Sequence, residues 1–465
     1  MSLKPLSVNI LPPAPPLRKL LGPSFILLGL GLGSGEVILW PYLTSNFGLG
    51  IIWGAILGIT FQFFMNMEIE RYALINGESV FVGLMRKIRL LSFWFLISTF
   101  LPWIWPGIIA SSAAIFSHII GFSEPSYLGI LFLIIIGIIL TLGPILYKTV
   151  ELFQKALILI AVPSIFVLTL VLAKVSDWEA LGKGVVGVGE GYFLLPEAIV
   201  ISSFIAAFAY SGAGGNLNLA QSFYVKEKGY GMGKYSGRIT SILTGKKEEI
   251  SITGTTFEKN QENVKTFNSW WRKINLEHFI VFWLTGVITI LLLALLSYAT
   301  TFGIGAKAGD IGFIFLEAGQ IGEKIFPFAG IFFLLIAGLT LFGTQLTVLD
   351  ATSRILSENT LLVSSNKLKE EHFPKVYYIV LWLQIAFGVI IFLLGFKQPL
   401  ELLIIAAVLN AMAMFVHTGL TLWLNLTSLD KALRPSIFRI LFMLLAFFFY
   451  GGFSIYVIAT NIFTF

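Results

Sequence analysis

Eleven stretches of this chain are each apolar for roughly the 20 residues that an α-helix needs to cross a bilayer, and together they cover most of its length. That limits the fold severely, because backbone amides and carbonyls in hydrocarbon must be bonded within helices or closed barrels. The stretches are 22–46, 50–70, 92–120, 126–147, 152–174, 195–224, 279–303, 326–353, 376–396, 399–426 and 437–463. Their apolar character is continuous and does not alternate, which predicts helices and not barrel strands. Composition agrees: 57% of residues are hydrophobic and 12% charged, too little polar material to cover a soluble domain. The fold class read from sequence is an all-α integral membrane protein of about eleven transmembrane helices.

Charge supplies the orientation. With the N-terminus cytoplasmic, 26 of the 31 Lys and Arg fall on the inner side, and only Lys174, Lys183, Lys307, Lys324 and Lys397 fall outside. By the positive-inside rule this predicts a multi-pass cell-membrane protein with its N-terminus cytoplasmic and its C-terminus extracytoplasmic. Topology also accounts for the net charge of +6, so the lipid bilayer is the expected partner and nucleic acid is not. The chain has no cysteine, which excludes disulfides, iron–sulfur clusters and thiolate metal sites; no cofactor is expected. Residues 1–21 are Pro-rich and read as a flexible cytoplasmic tail with no cleavable signal. Residues 226–278 form the long polar insertion, on the cytoplasmic side. Segment 303–325 is a shorter outer excursion in which Ile311, Phe315 and Ile325 suit an amphipathic piece lying along the interface.

Two spans share an irregularity. The first reads Gly29, Leu30, Gly31, Leu32, Gly33, Ser34, Gly35, Glu36, and the sixth reads Tyr210, Ser211, Gly212, Ala213, Gly214, Gly215, Asn216, Leu217, Asn218. Glycine costs about 1 kcal/mol relative to alanine inside a helix, and backbone freed from a helix at membrane depth must line a cavity or find other partners. Both clusters are therefore expected to be unwinding points, in helices 1 and 6. Lying five spans apart, they have opposite orientations, the pattern of inverted-repeat transporters with discontinuous helices. The competing reading is a small-residue packing face, since Gly29 and Gly33 are spaced for it; the polar side chains at the same depth argue against that.

These residues also resemble the Nramp divalent-metal transporters. Gly22, Pro23, Ser24, Phe25 followed by Gly33, Ser34, Gly35, Glu36 looks like that family's opening Gly-Pro and its first-span Asp-Pro-Gly-Asn motif. Gly214, Gly215, Asn216 fall where the family has Met-Pro-His, with Gln221 and Ser222 at its His-Ser end. The resemblance implies a LeuT-like fold of two inverted five-helix repeats, 22–174 and 195–426, plus a final helix over 437–463. The departures are in the ligands. The family's metal-binding Asp, Asn, Met and His correspond here to Gly33, Glu36, Gly214 and Asn216, and the acidic residue of the third span and arginine of the ninth have no counterpart in 92–120 or 377–396.

The predicted substrate-binding set is Gly33, Ser34, Gly35, Glu36, Ser211, Gly212, Gly214, Gly215, Asn216 and Asn410, with Glu36 also the coupling group. A carboxylate near mid-membrane costs at least about 2.5 kcal/mol and commonly marks a pathway, although it could instead sit at a half-helix N-terminus. Asn216 and Ser211 could equally cap the second half of span six. One carboxylate with amides and carbonyls is a hard oxygen set, poor for transition metals. The expectation is a secondary transporter for a small polar solute or hard ion, coupled to H+ or Na+. The alternative is a Mg2+ or Mn2+ carrier with Glu36, and Asn216 beside it, as metal ligands. Thr344 and Thr347 are candidates for a sodium site, and Gln345 is a weaker candidate for the centre. His118 and His417 are expected to bond neighbouring helices, Asp350 and Arg354 to pair at i, i+4, and Glu68, Glu70 and Arg71 to end span two at the surface. Trp103 and Trp105, between Pro102 and Pro106, predict a kink in span three. An enzyme would need clustered His and carboxylates, which the sequence lacks.

Overall fold

The computed structural model describes residues 3–241, 243–245, 248–304, 311–364, 368–396 and 398–462. Lys246, Lys247, Lys307, Lys367 and Lys397 of the charge tally, and residue 463 of the last predicted span, lie outside them. Among the described residues ten helices are long and apolar enough to cross a membrane. In chain order the helices are α1 (Pro23–Phe47), α2 (Leu49–Asn76), α3 (Val80–Lys87), α4 (Leu91–Ile120), α5 (Pro125–Leu142), α6 (Leu146–Leu172), α7 (Val175–Val185) and α8 (Ile201–Ala209). They continue with α9 (Gln221–Lys228), α10 (Gln261–Thr301), α11 (Gly312–Lys324), α12 (Pro327–Val363), α13 (Glu370–Leu393), α14 (Pro399–Ser428) and α15 (Ile437–Thr460). The predicted sixth span is the pair of short helices α8 and α9, joined by a non-helical turn and a 3-10 segment over Gly215–Ala220.

Burial orders the bundle. The most apolar window of α1 is entirely buried, and those of α2 and α12 are 78% buried, whereas those of α5 and α6 are only 28% buried. The first three therefore form the centre, and α5 and α6 form a rim whose exposed Leu131, Ile138, Leu159 and Ile160 suit contact with lipid.

The first span corrects the expectation of a break. It is helical from end to end, with a wider π-type turn over Leu32–Leu39. Its glycines serve approach: a Cβ on Gly31 would lie 2.5 Å from the Gly212 carbonyl oxygen, and one on Gly35 would fall into the Tyr210 carbonyl. The packing reading of this cluster is thus the one the structure supports, and it also leaves α1 without an internal half-helix terminus. In the sixth segment the glycines act differently. Gly214 (φ +72°) and Gly215 (φ +57°) occupy left-handed backbone that other residues rarely adopt. α4 is kinked as predicted, its helix interrupted between Trp103 and Gly107.

The N-terminal tail is packed and not flexible. Ser7–Val8 (β1) pairs in parallel with Thr255–Thr256 (β2). Carbonyls of Lys4, Ile10, Pro12, Ala14 and Pro15 accept from Arg86, Tyr235, Trp270 and Lys273. Proline-rich backbone has few amides of its own to satisfy, so its carbonyls are open to such donors. The partner surface comes from the insertion after α9 and from α10, which begins at Gln261, well before the predicted 279. Glu68, Glu70 and Arg71 are buried, not at a surface, against residues of α9, α10, α14 and α15. Arg71 pairs with Glu68 at 2.7 Å and stacks on Trp271. At the other end, α11 turns its apolar face inward, burying Phe313, Ile314 and Ile321, as well as Ile311 just before it.

Candidate functional site

The break between α8 and α9 lies against α1, α2, α4 and α14, and all ten predicted site residues are buried. Breaking a helix leaves amides and carbonyls without intrahelical partners, and side chains of neighbouring helices supply them. Gln62 of α2 spans the gap: its amide nitrogen donates to the Ala209 carbonyl at 2.9 Å, and its oxygen accepts from the Gly214 amide at 3.1 Å and from Asn218 at 3.0 Å. Asn218 also donates to Asn66 at 2.7 Å. His417 of α14 reaches the Gly215 carbonyl at 2.9 Å. A carbonyl only accepts, so Nε2 of His417 carries the proton.

Ser211 accepts from the Trp40 indole of α1 at 2.9 Å and donates to the Ala207 carbonyl. Asn216 turns toward α4, its amide donating to Ser98 at 2.8 Å and Thr99 at 2.9 Å. Asn410 donates to the Tyr210 hydroxyl at 3.0 Å, and Tyr210 stacks on Trp103 with ring centres 5.6 Å apart. Trp103 thereby walls the break as well as marking the α4 kink.

On α1, Gly33 and Gly35 face Thr344 of α12 and the Tyr210 carbonyl respectively, and Ser34 is buried between them. Glu36 points elsewhere. Its carboxylate faces Gly286 of α10, near Ile59 and Leu28, and neither oxygen has a hydrogen-bond partner among the described residues. An unpaired charge in such a place costs several kcal/mol. The carboxyl therefore keeps its proton or meets a cation. Glu36 and Asn216 thus face different neighbours, and among the described residues no three His, Cys, Asp or Glu side chains are grouped to hold a metal ion.

At the break Asn216, Asn218 and Asn410 end in acceptor oxygens without partners among the described residues, as does Glu36 on the side of α1 that faces α10. Thr344 donates to the Gly29 carbonyl at 2.8 Å, and Thr347 accepts from Gln154 of α6. Asp350 and Arg354 pair as expected at 2.9 Å, joined by Glu227 of α9 and by Tyr224 and Tyr377. His118 stacks on Phe315 of α11 and so contacts a neighbouring helix, though not through a hydrogen bond to it. Gln62, Asn66, Ser98 and Thr99 were not singled out from sequence. A buried glutamine four residues before an asparagine, on one face of an otherwise apolar helix, was the available signal.

No protein-family model matches the sequence, and no curated protein is similar to it. Solved structures are similar in fold. A mutant of the Eremococcus coleocola manganese transporter superposes with a TM-score of 0.69 at 12% identity, covering 98% of this chain and 90% of that one. The same transporter in complex with an aromatic bis-isothiourea compound gives 0.68 at 13% identity over 99% and 91%. MhsT in complex with L-phenylalanine gives 0.51 at 15% identity over 93% and 97%. The bundle of ten long helices around a broken sixth segment, matched to these structures over nearly its whole length, is a LeuT-like membrane fold.

Proposed function

We propose that the chain is a secondary transporter that moves a small polar solute or a hard ion by alternating access, with the cargo held between α1 and the break of the sixth segment. The observation that carries this is the break itself: buried non-helical backbone beside the unpartnered acceptors of Asn216, Asn218 and Asn410, with the bare carboxylate of Glu36 on the adjoining α1. Acceptor oxygens without donors suit a cargo that brings its own N–H or O–H groups or a positive charge. The break is closed on all sides, so the site must open before cargo reaches it. Gly31 and Gly35 allow α1 to slide against Gly212 and Tyr210 during such a step. In this reading the N-terminus and the tail layer face the cytoplasm, the two five-helix halves 22–174 and 195–426 are inverted repeats, and the coupling ion is H+ or Na+, with Glu36 as the coupling group.

A second reading, a Mg2+ or Mn2+ carrier with Glu36 as main ligand, is favoured by the bare carboxylate and by the manganese transporter of like fold. Hydrated Mg2+ needs few protein carboxylates. Uptake into proteoliposomes separates the two, using a panel of small metabolites, amino acids, Mg2+ and Mn2+ at two pH values. Saturable uptake of an organic solute supports the first reading, and saturable uptake of a divalent ion lost in Glu36→Gln supports the second. Uptake that does not saturate points to a channel and removes both.

A further inference from the structure

The turn between α8 and α9 closes a ring of contacts with α4 and α14. Asn216, the residue after Gly215, donates to Ser98 and Thr99 of α4. Thr99 and Trp103 are spaced i, i+4 and so share one face of α4. Trp103 stacks on Tyr210, and Asn410 of α14 donates to the Tyr210 hydroxyl at 3.0 Å. The oxygen of the same Asn410 amide lies against Gly215, where a Cβ would be 1.8 Å from it. The ring thus returns to the residue beside Asn216, and all of its members are buried.

Three polar atoms on this ring have no partner among the described residues: Oδ1 of Asn216, Nε1 of Trp103 and Oδ1 of Asn410. Neighbouring backbone does not supply one. The Gly214 amide is bonded to Gln62 and the Gly215 carbonyl to His417, and α1, helical throughout, keeps its amides within the helix. A buried polar atom left unpaired is costly, so three on one ring point to a ligand that pairs with them. Taken around the ring they read acceptor, donor, acceptor, because an amide oxygen only accepts and an indole N–H only donates.

We infer that the cargo is a small neutral molecule carrying a ureido group, that is, N–H, C=O and N–H in sequence. Its two N–H groups donate to Asn216 and Asn410, and the carbonyl between them accepts from Trp103. The inference rests on the carrier reading above and narrows its cargo from polar solutes and hard ions to ureides.

Charge argues against the other classes at this place. The ring is built from amides, hydroxyls and aromatic rings, with no carboxylate and no basic side chain among its members. A metal ion between the two amide oxygens would meet the positive end of the Trp103 N–H, and hard cations draw on carboxylates; that of Glu36 faces Gly286 of α10 instead. An anionic group would meet two acceptor oxygens and a single donor. The stacked rings of Trp103 and Tyr210 add a flat wall that suits a planar ureide.

The test is calorimetric titration of the purified full-length protein in micelles with ethyleneurea, hydantoin and uracil, and with the N,N′-dimethyl form of each. At least one ureide is expected to bind saturably. Its dimethyl form keeps the carbonyl and loses both N–H donors, and should bind about a hundredfold more weakly, tenfold for each lost bond. Trp103→Phe keeps the stacked ring and removes an N–H that bonds to nothing in the described protein; it should weaken ureide binding about tenfold. Failure of all three ureides to bind overturns the proposal. So do dimethyl forms that bind equally well, or a Trp103→Phe protein of unchanged affinity. If Trp103→Phe does not fold, the dimethyl comparison decides. Ureide binding without saturable uptake into proteoliposomes removes the carrier reading and leaves the ureide site standing; saturable uptake confined to Mg2+, Mn2+ or amino acids keeps the carrier and overturns the ureide.

Discussion

Gln62 is the side chain whose loss should do most damage for its size. Gln62→Met keeps length and volume while removing both polar atoms. It leaves the Ala209 carbonyl and the Gly214 amide without their partner and takes one of two acceptors from Asn218. A buried backbone group left unpaired costs about 1–3 kcal/mol, so the two together give a loss of about 2–6 kcal/mol before relaxation. Asn66→Leu is the internal control. It removes only the 2.7 Å bond from Asn218, which keeps its bond to Gln62, and should cost about 1 kcal/mol. Equilibrium unfolding in mixed micelles, followed by the fluorescence of the 11 tryptophans, measures both. A Gln62→Met protein within about 0.5 kcal/mol of the parent, the range of an ordinary surface change, would refute the assignment of Gln62 as the staple of the break. So would an Asn66→Leu protein that loses more than Gln62→Met.

Four further outcomes are expected. Glu36→Gln removes a carboxylate with no partner among the described residues, so its melting temperature should not fall while uptake in proteoliposomes is lost; full uptake would take Glu36 out of the mechanism. Gly35→Ala forces a methyl against the Tyr210 carbonyl and should cost about 1–3 kcal/mol in the same micelle titration. Gly319→Ala on α11, with nothing within 4 Å, should be neutral or stabilising. Burial pushes the Glu317 carboxyl on α11 well above the ordinary carboxylate range. A group whose folded value is raised binds its proton more tightly folded than unfolded, so it contributes stability below the ordinary carboxylate value that is lost as pH rises above it. Glu317→Gln should therefore raise the melting temperature at neutral pH and change it little in acid, and identical pH profiles would contradict the assignment.

The spans were legible because a continuous apolar run of twenty residues has few other uses. Glycine density was a weaker guide, since it reports that backbone is crowded or bent without saying which. In the sixth segment it meant bent backbone at Gly214 and Gly215; in α1 it meant crowding at Gly31 and Gly35. Asn216 and Ser211 were readable as candidates, but their partners were not: Ser98, Thr99 and Trp40 lie more than a hundred residues away. Burial of Glu68, Glu70 and Arg71 was hidden for a related reason. The cover comes from Gln221, Trp271, Asn425, Leu433 and Arg439, all at least 150 residues away in the chain.

α10 is a single rod of 41 residues, about 60 Å at 1.5 Å per residue, twice the thickness of the hydrocarbon it crosses. Its first turns carry Trp270 and Lys273, gripped by the tail, and its last turns support α11 at the opposite face. The wide π-type turns at Phe279–Leu284 lie between. Such a rod is long enough to tie the tail strand at one surface directly to α11 at the other.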